Sequence, residues 1–517
     1  MTAVVALERA ARLSNDPVRR GDRLLRAAEY AFELGRREVV AELLGQAEQL
    51  ALIPHQRWRL AWIRDSFDDG VVTRGMGAGS LVTVAERAAA ADDPGLALKL
   101  LHGVAVRGWW TSQRPEVGAE IVAAAERLPA GVDDPRLVAT LAFAAPIDRG
   151  AVVIERLADA GDDAHTSRLL GVAAMAVGAL DIAMALLARA VADLRAQGQL
   201  GLLARALAVQ AWTAALVADV DVAVPAADEA RRLARETSQP VIGATAAMAR
   251  ALLAAIRDEQ EVADAFAEEA ERVAAPAGVR CLLAGAQLAR GMAALGAGRV
   301  DAYDSLSRLF DPADLAYHPA IRCCAVGDLV EAAVRAGRTD AVARTMTQME
   351  VAARTTPSPA LHQGLRHARA LLAADEAHFT EALTSDAEIW PFHRARGQLA
   401  YGEWLRRERR AIESRAHLRA ARETFDALGA AGWADRARQE LRASGEISRG
   451  RVPQARDSLS PQELQIALMA ADGLTNREIG QRLYLSHRTI GSHLHRLFPK
   501  LGIASRAQLR TALQSAE

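Results

Sequence analysis

Arg488, Ser492, His495 and Arg496 bring two cations, a hydroxyl and an imidazole together within nine residues. Between them, Ile490, Leu494 and Leu497 recur at i, i+4 and i+7, the spacing of one apolar helix face. A helix that buries this stripe turns the polar side chains outward, with the small Gly491 among them. Entry into the major groove of DNA needs that division. The chemistry this implies is recognition, and no catalytic constellation stands out anywhere in the chain. His487, His493 and His495 suggest a metal site at first sight. His493 and His495 are two apart, however, so they do not share a helix face, and no metal is expected.

The elements that must position these residues are written as four successive helix starts between Leu459 and Glu517. Ser460, Thr475, Ser486 and Ser505 are the caps, and Glu463, Glu478, Thr489 and Gln508 stand three residues on. The pairs Leu459 with Leu464, Leu474 with Ile479, Leu485 with Ile490 and Ala504 with Leu509 straddle them as hydrophobic staples. Three starts are capping boxes with Glu or Gln, and the Ser486 start, with Thr489, is the weaker form. Four short helices, two of them joined by the tight turn Tyr484-Leu485-Ser486, predict a helix-turn-helix. Helix N-termini at Thr475 and Ser486 offer free N–H groups to phosphates. Pro499 deletes a backbone donor and disfavours helix at Phe498, so the last turn is expected to kink or end early.

The string from Leu459 to Arg510 resembles the DNA-binding domain of LuxR-type regulators. The matching residues are Leu459-Ser460, Glu463, Gly473-Leu-Thr-Asn476, Glu478-Ile479, Leu485-Ser486, Thr489-Ile490, His493, Lys500-Leu501-Gly502 and Arg506. The resemblance implies base contacts from Gly491, Ser492 and His495. It implies phosphate contacts near Thr475, Asn476, Arg488, Thr489, His493 and Lys500. Members of that family usually carry a longer or charged residue where this chain has Gly491. A final helix, Arg506 to Ser515, resembles the one through which such domains pair, so a homodimer on promoter DNA is the expectation.

At 517 residues, half apolar and a quarter charged, the chain is long enough for two or more domains with proper cores. Alanine and arginine dominate and aromatics are scarce, which favours helix over strand. The formal charge of −1 is unevenly placed. Residues 446–517 carry ten Lys/Arg against six Asp/Glu, and the remainder 53 against 58. A small basic module on a mildly acidic body fits nucleic-acid binding at one end. No apolar run is long enough to span a membrane, and the N-terminus lacks a basic n-region. Cys281, Cys323 and Cys324 have neither disulfide nor metal spacing and are read as buried thiols in a reducing cytoplasm.

The body repeats. A turn of Gly or Asp, two residues, then Asp or Glu begins at 178, 258, 298 and 337, and a degenerate copy begins at Ala218. Looser copies lie at Asp375 and Glu408, with an earlier one at Gly35. A period near 40 filled with alanine-rich helix predicts stacked helix pairs, and these resemble tetratricopeptide-like repeats. Residues 66–160 break the rhythm, and irregular helices are expected there. Trp58, Trp62, Trp109, Trp110, Tyr401 and Trp404 are read as inter-helix core, with a groove lining as the alternative. The pairs Asp68-Asp69, Asp92-Asp93 and Asp162-Asp163 are read as helix caps.

Both ends of the body resemble the helical region of large ATP-binding LuxR regulators, at residues 8–44 and 391–446. Lys99 and Lys500, the two lysines of the chain, follow Leu98 and Pro499. With no Gly-Lys pair there is no Walker motif, so the resemblance is to the C-terminal two-thirds of those regulators without the ATPase domain, and no cofactor is expected. The expected fold is all-α: a tetratricopeptide-like helical repeat domain over 1–443, a linker over 444–458, and a four-helix LuxR-type domain over 459–517. The expected function is that of a cytoplasmic, non-enzymatic DNA-binding transcriptional regulator whose body senses a ligand or partner protein. The alternative is a protein-interaction scaffold with a vestigial DNA-binding module.

Overall fold

The computed structural model describes residues 2–67, 78–112, 114–129, 131, 134–157, 163–383, 390–446, 461–483, 485–500, 503, 506 and 509. The chain divides into two compact units, residues 1–440 and 441–517. Every regular element among the described residues is a helix, and none of those helices is long and apolar enough to cross a membrane.

The most regular part of the first unit contains Leu180–Ala196, Leu200–Leu216, Val220–Glu236, Pro240–Ile256, Gln260–Ala277 and Arg280–Gly296, each of 17 or 18 residues. The turns between them pivot on left-handed residues. Gly178, Ala218, Asp258 and Gly298 have φ of 77°, 61°, 66° and 69°, and so do the intervening Gly198, Ser238 and Gly278, at 68°, 54° and 66°. The 40-residue period is therefore two near-equal helices, and the second set of turns carries no acidic signature in the sequence. Each helix closes with a long-loop backbone bond, as in Asp219 N to Ala214 O and Glu259 N to Ala254 O, both 2.9 Å. Asp181, Asp221 and Glu261 then sit in the first turn of the helix that follows, where the helix dipole favours a carboxylate.

Alternate helices play different roles. Leu200–Leu216, Pro240–Ile256 and Arg280–Gly296 pack in sequence on one another as well as on their chain neighbours. They are buried almost all round, which is why they read as apolar on every face. Gln260–Ala277 packs chiefly on the helices flanking it and buries one stripe, Ala263, Ala267, Ala270 and Ala274. The inner helices approach so closely that a Cβ on Gly285 would lie 1.9 Å from Met248 Sδ.

Regularity fails in two places. Between residues 78 and 157 the helices have unequal lengths, from 18 residues for Pro94–Thr111 to seven for Gly150–Arg156, so the expected loss of rhythm is present. Asp93 and Asp163 each cap a helix, accepting from Leu96 N and Thr166 N at 2.9 and 3.0 Å. Asp68, Asp69, Asp162 and the run from Gly75 to Gly77 lie outside the described residues. The second break differs from expectation. After the turn at Gly298 the helix Ala302–Ser307 has only six residues, and turns carry the chain to Ile321. Pro312 and Pro319 lack donors, and Asp311 and Asp314 take the N–H groups of Ala313 and Ala316 at 3.0 and 2.7 Å. These local bonds compete with the helix.

Trp109, Tyr401 and Trp404 are buried, as expected for core, whereas Trp58, Trp62 and Trp110 are half-buried. Cys281 and Cys323 are buried and Cys324 is half-buried; burial pushes the thiols of Cys281 and Cys323 up to about 12 and about 11. Near the end of the first unit lies a buried ionic cluster. Arg396, 3% exposed, donates to Glu331 Oε2 at 2.6 Å and to Asp328. Arg436 bridges Glu331 at 2.9 Å and Glu403 at 2.8 Å. Burial alone would raise the Glu331 carboxyl; Arg396, Arg335 and His367 overcome it and hold the group below the ordinary carboxylate range.

Candidate nucleic-acid interface

The second unit is described by three helices, Pro461–Ala471, Asn476–Leu483 and His487–Lys500. Two of the four expected helix starts lie within the described residues. At the first, the hydroxyl and backbone N–H of Thr475 both donate to Glu478 Oε2 at 2.7 Å, and Glu478 N donates back to Thr475 Oγ1 at 3.3 Å. This is a reciprocal capping box. These two bonds, the backbone one first, hold the Glu478 carboxyl below its ordinary range. At the second, Thr489 N donates to Ser486 Oγ at 3.1 Å, and the two hydroxyls pair at 2.7 Å. Thr489 is too short to reach the cap's own N–H, so only half of the box forms. The caps Ser460 and Ser505, with Gln508, Leu459, Ala504, Tyr484, Leu501 and Gly502, lie outside the described residues.

The staple residues Ile479 and Ile490 are buried with Ile466, Leu494, Leu497 and Leu509, and Leu474 and Leu485 pack against them. The turn between the second and third helices closes through Leu485 N to Gly480 O at 2.9 Å. Gly480 is the residue that permits it, since a Cβ there would lie 2.5 Å from Leu485 O. The third helix does not stop before Pro499; it runs on to Lys500. The proline falls in its final turn, so the one backbone bond it removes does not interrupt the body of the helix.

With Ile490, Leu494 and Leu497 turned inward, Arg488, Ser492, His495 and Arg496 are exposed and Gly491 is half-buried. Arg488 has no ion-pair partner among the described residues. The Ser492 hydroxyl donates to Arg488 O at 3.1 Å, which leaves its oxygen to accept. His493 is half-buried, and its Nδ1 has no hydrogen-bond partner among the described residues. The hydroxyls of Thr475 and Thr489 are engaged in their caps. Asn476, at the start of the second helix, lies beside the third: its Nδ2 is 3.7 Å from where a Cβ on Gly491 would stand. Nothing else crowds that position, so Gly491 is not demanded by packing. For Lys500 only the backbone is described.

Sequence reading missed the role of Arg506. It turns inward, donating through Nη1 to Asn476 Oδ1 at 2.8 Å and through Nη2 to Leu474 O and, at 3.5 Å, to Ala470 O. The guanidinium thus ties the end of the first helix to the start of the second, and fixes Asn476 with its amide nitrogen toward Gly491. Arg506 and Asn476 stand 30 residues apart, and no local pattern links them.

Residues 457–512 match the family described as bacterial regulatory proteins, luxR family. The chain is 40% identical over 65 residues to a Mycobacterium bovis protein whose name describes a candidate HTH-type transcriptional regulator, and 38% identical over 65 residues to a similarly named Mycobacterium tuberculosis protein. It is 37% identical over 68 residues to the transcriptional regulatory protein LiaR of Bacillus subtilis. Each match covers 13% of this chain; it spans 7% of the length of the mycobacterial relatives and 30% of LiaR. The C-terminal segment is a LuxR/GerE-type helix-turn-helix domain, and a large all-α region precedes it.

Proposed function

We propose that the chain is a DNA-binding transcriptional regulator and not an enzyme. The observation that carries this reading is the helix His487–Lys500, whose apolar stripe is buried while Arg488, Ser492, His495 and Arg496 face outward. On this reading Gly491, Ser492 and His495 meet base edges, Gly491 through its backbone alone. Thr475, Asn476, Arg488, Thr489, His493 and Lys500 meet phosphates. With their hydroxyls engaged in caps, Thr475 and Thr489 act through the helix N-termini they open. The protein acts in the cytoplasm as a homodimer on promoter DNA. Residues 1–443 form a tetratricopeptide-like sensor of a ligand or partner protein, joined through 444–458 to the domain at 459–517.

Gel shifts of the full chain on genomic fragments at graded salt test this. The expected result is a sequence-specific complex whose affinity falls steeply with salt and disappears in an Arg488→Ala, Lys500→Ala variant. Weak binding alone, indifferent to sequence and to that double substitution, would favour a scaffold with a vestigial DNA module.

A further inference from the structure

A cleft in the first unit has a free volume of about 560 Å³, within the range of roughly 300–1,000 Å³ common to small-molecule sites. Trp109, Phe143 and Ile147 line it from one stretch of chain, Tyr317 and Arg322 from another. Val351, a large apolar residue left 54% exposed, also lines it. Two hydrogen bonds join these distant stretches. The His318 ring, 1% exposed, donates through Nε2 to Trp109 O at 2.9 Å and accepts Ile321 N–H on Nδ1 at 3.3 Å. The Ser112 hydroxyl donates to Tyr317 O at 3.2 Å. Trp109 meets Phe143 edge-on at 5.3 Å and the His318 ring at 4.7 Å. The cleft is therefore built before any ligand arrives.

Its wall carries the carboxylates of Glu126 and Asp148 and the guanidiniums of Arg114, Arg149 and Arg322. Glu126 is already held by Arg149 at 2.9 and 3.1 Å. The Arg322 guanidinium lies 5.2 Å from the Tyr317 ring centroid, and its Nε is buried without a hydrogen-bond partner among the described residues. No carboxylate pairs with Arg322 among those residues. Arg322 lines the cleft, and a guanidinium fork without a carboxylate partner fits a carboxylate. We propose that this cleft binds a small amphipathic carboxylate, its anion on Arg322 and its apolar part against Trp109, Phe143 and Ile147. The proposal rests on the reading of the body as the sensing part of a regulator.

The test uses the full chain without DNA, with 8-anilinonaphthalene-1-sulfonate as fluorescent probe and decanoate, decanol and decylamine as competitors. Decanoate is expected to displace the probe at least about tenfold more effectively than either chain-matched competitor, the margin of one charge-assisted hydrogen bond. Arg322→Gln should erase that advantage while leaving decanol unchanged. Ala352→Trp, which fills the cleft, should remove binding of both with the circular dichroism spectrum retained. Equal competition by decanol, no displacement by decanoate, or unchanged decanoate binding in Arg322→Gln would overturn the proposal. Gel shifts on the same preparations separate the two readings. Decanoate binding without any specific DNA complex sinks the regulator and leaves the cleft; the reverse result sinks the cleft alone.

Discussion

Replacing Arg506 by Leu removes a guanidinium that makes one bond to the Asn476 side chain and two to backbone carbonyls across a half-buried turn. Hydrogen bonds to a charged donor contribute roughly 1.5–3 kcal/mol in such settings. Losing them should raise the local opening of the second helix by about ten- to a hundredfold. Hydrogen exchange of peptides covering 474–483 in the full chain reads that opening directly, with peptides over 240–296 as the unaffected reference. DNA affinity should fall as well, because Asn476 loses the partner that aims its amide. The salt dependence separates this mechanism from a direct phosphate contact. A lost phosphate contact lowers the slope of log affinity against log salt by roughly 0.9. Loss of a neutral amide's positioning leaves the slope unchanged. A slope reduced by about that amount, with exchange in 474–483 unaltered, would show that Arg506 meets DNA and that its inward bonds are incidental. With Arg506 positioning Asn476, Asn476→Ala should cost little further affinity in the Arg506→Leu background, since the two residues act as one unit.

Three further outcomes follow from the same geometry. Gly491→Lys should be accommodated, the nearest heavy atom to its Cβ being Asn476 Nδ2 at 3.7 Å; it should steepen the salt slope by roughly 0.9 in gel shifts and raise helix stability by up to about 1 kcal/mol. Gly480→Val should do the opposite without touching a DNA-facing residue. Its Cβ would meet Leu485 O at 2.5 Å, so a loss of roughly 1–3 kcal/mol is expected, visible as faster hydrogen exchange over 485–500. In the first unit, burial pushes the His318 ring down to about 4. The native ring stays neutral while the unfolded one takes up a proton near pH 6.5, so stability is full above that pH and declines as pH falls toward 4. The contribution at stake is at most about 3 kcal/mol; thermal melts of His318→Asn should show a flatter pH dependence between 6.5 and 4 than those of the parent chain.

Much of the terminal domain was legible because its instructions are local. A cap and its partner three residues on, a staple straddling them and a period of i, i+4, i+7 are all read within one turn or two of helix. The boundaries at Thr475 and Ser486 and the inward face of Ile490, Leu494 and Leu497 follow from them. The 40-residue period of the body was legible for a related reason: each pivot must adopt a left-handed conformation, which selects Gly, or Asp and Ala at a cost. The pivots at Gly198, Ser238 and Gly278 escaped notice because no acidic residue follows them. Beyond Gly298 the helical pattern misled, since the aspartates that take the backbone donors there look like ordinary cap residues.

By itself, then, the sequence determined an all-α chain, a helix-turn-helix at its end and the residues on that helix's outer faces. Those properties depend on hydrogen bonds and side-chain periods that close within a few residues. Only the tertiary structure decided that Arg506 turns inward to aim Asn476, that Gly480 is required where Gly491 is not, and that Trp109, His318 and Arg322 share one cleft. The Arg506–Asn476 and His318–Trp109 bonds join residues 30 and 209 positions apart. They arise when packed helices bring distant surfaces within hydrogen-bonding distance, a condition that no short stretch of sequence encodes.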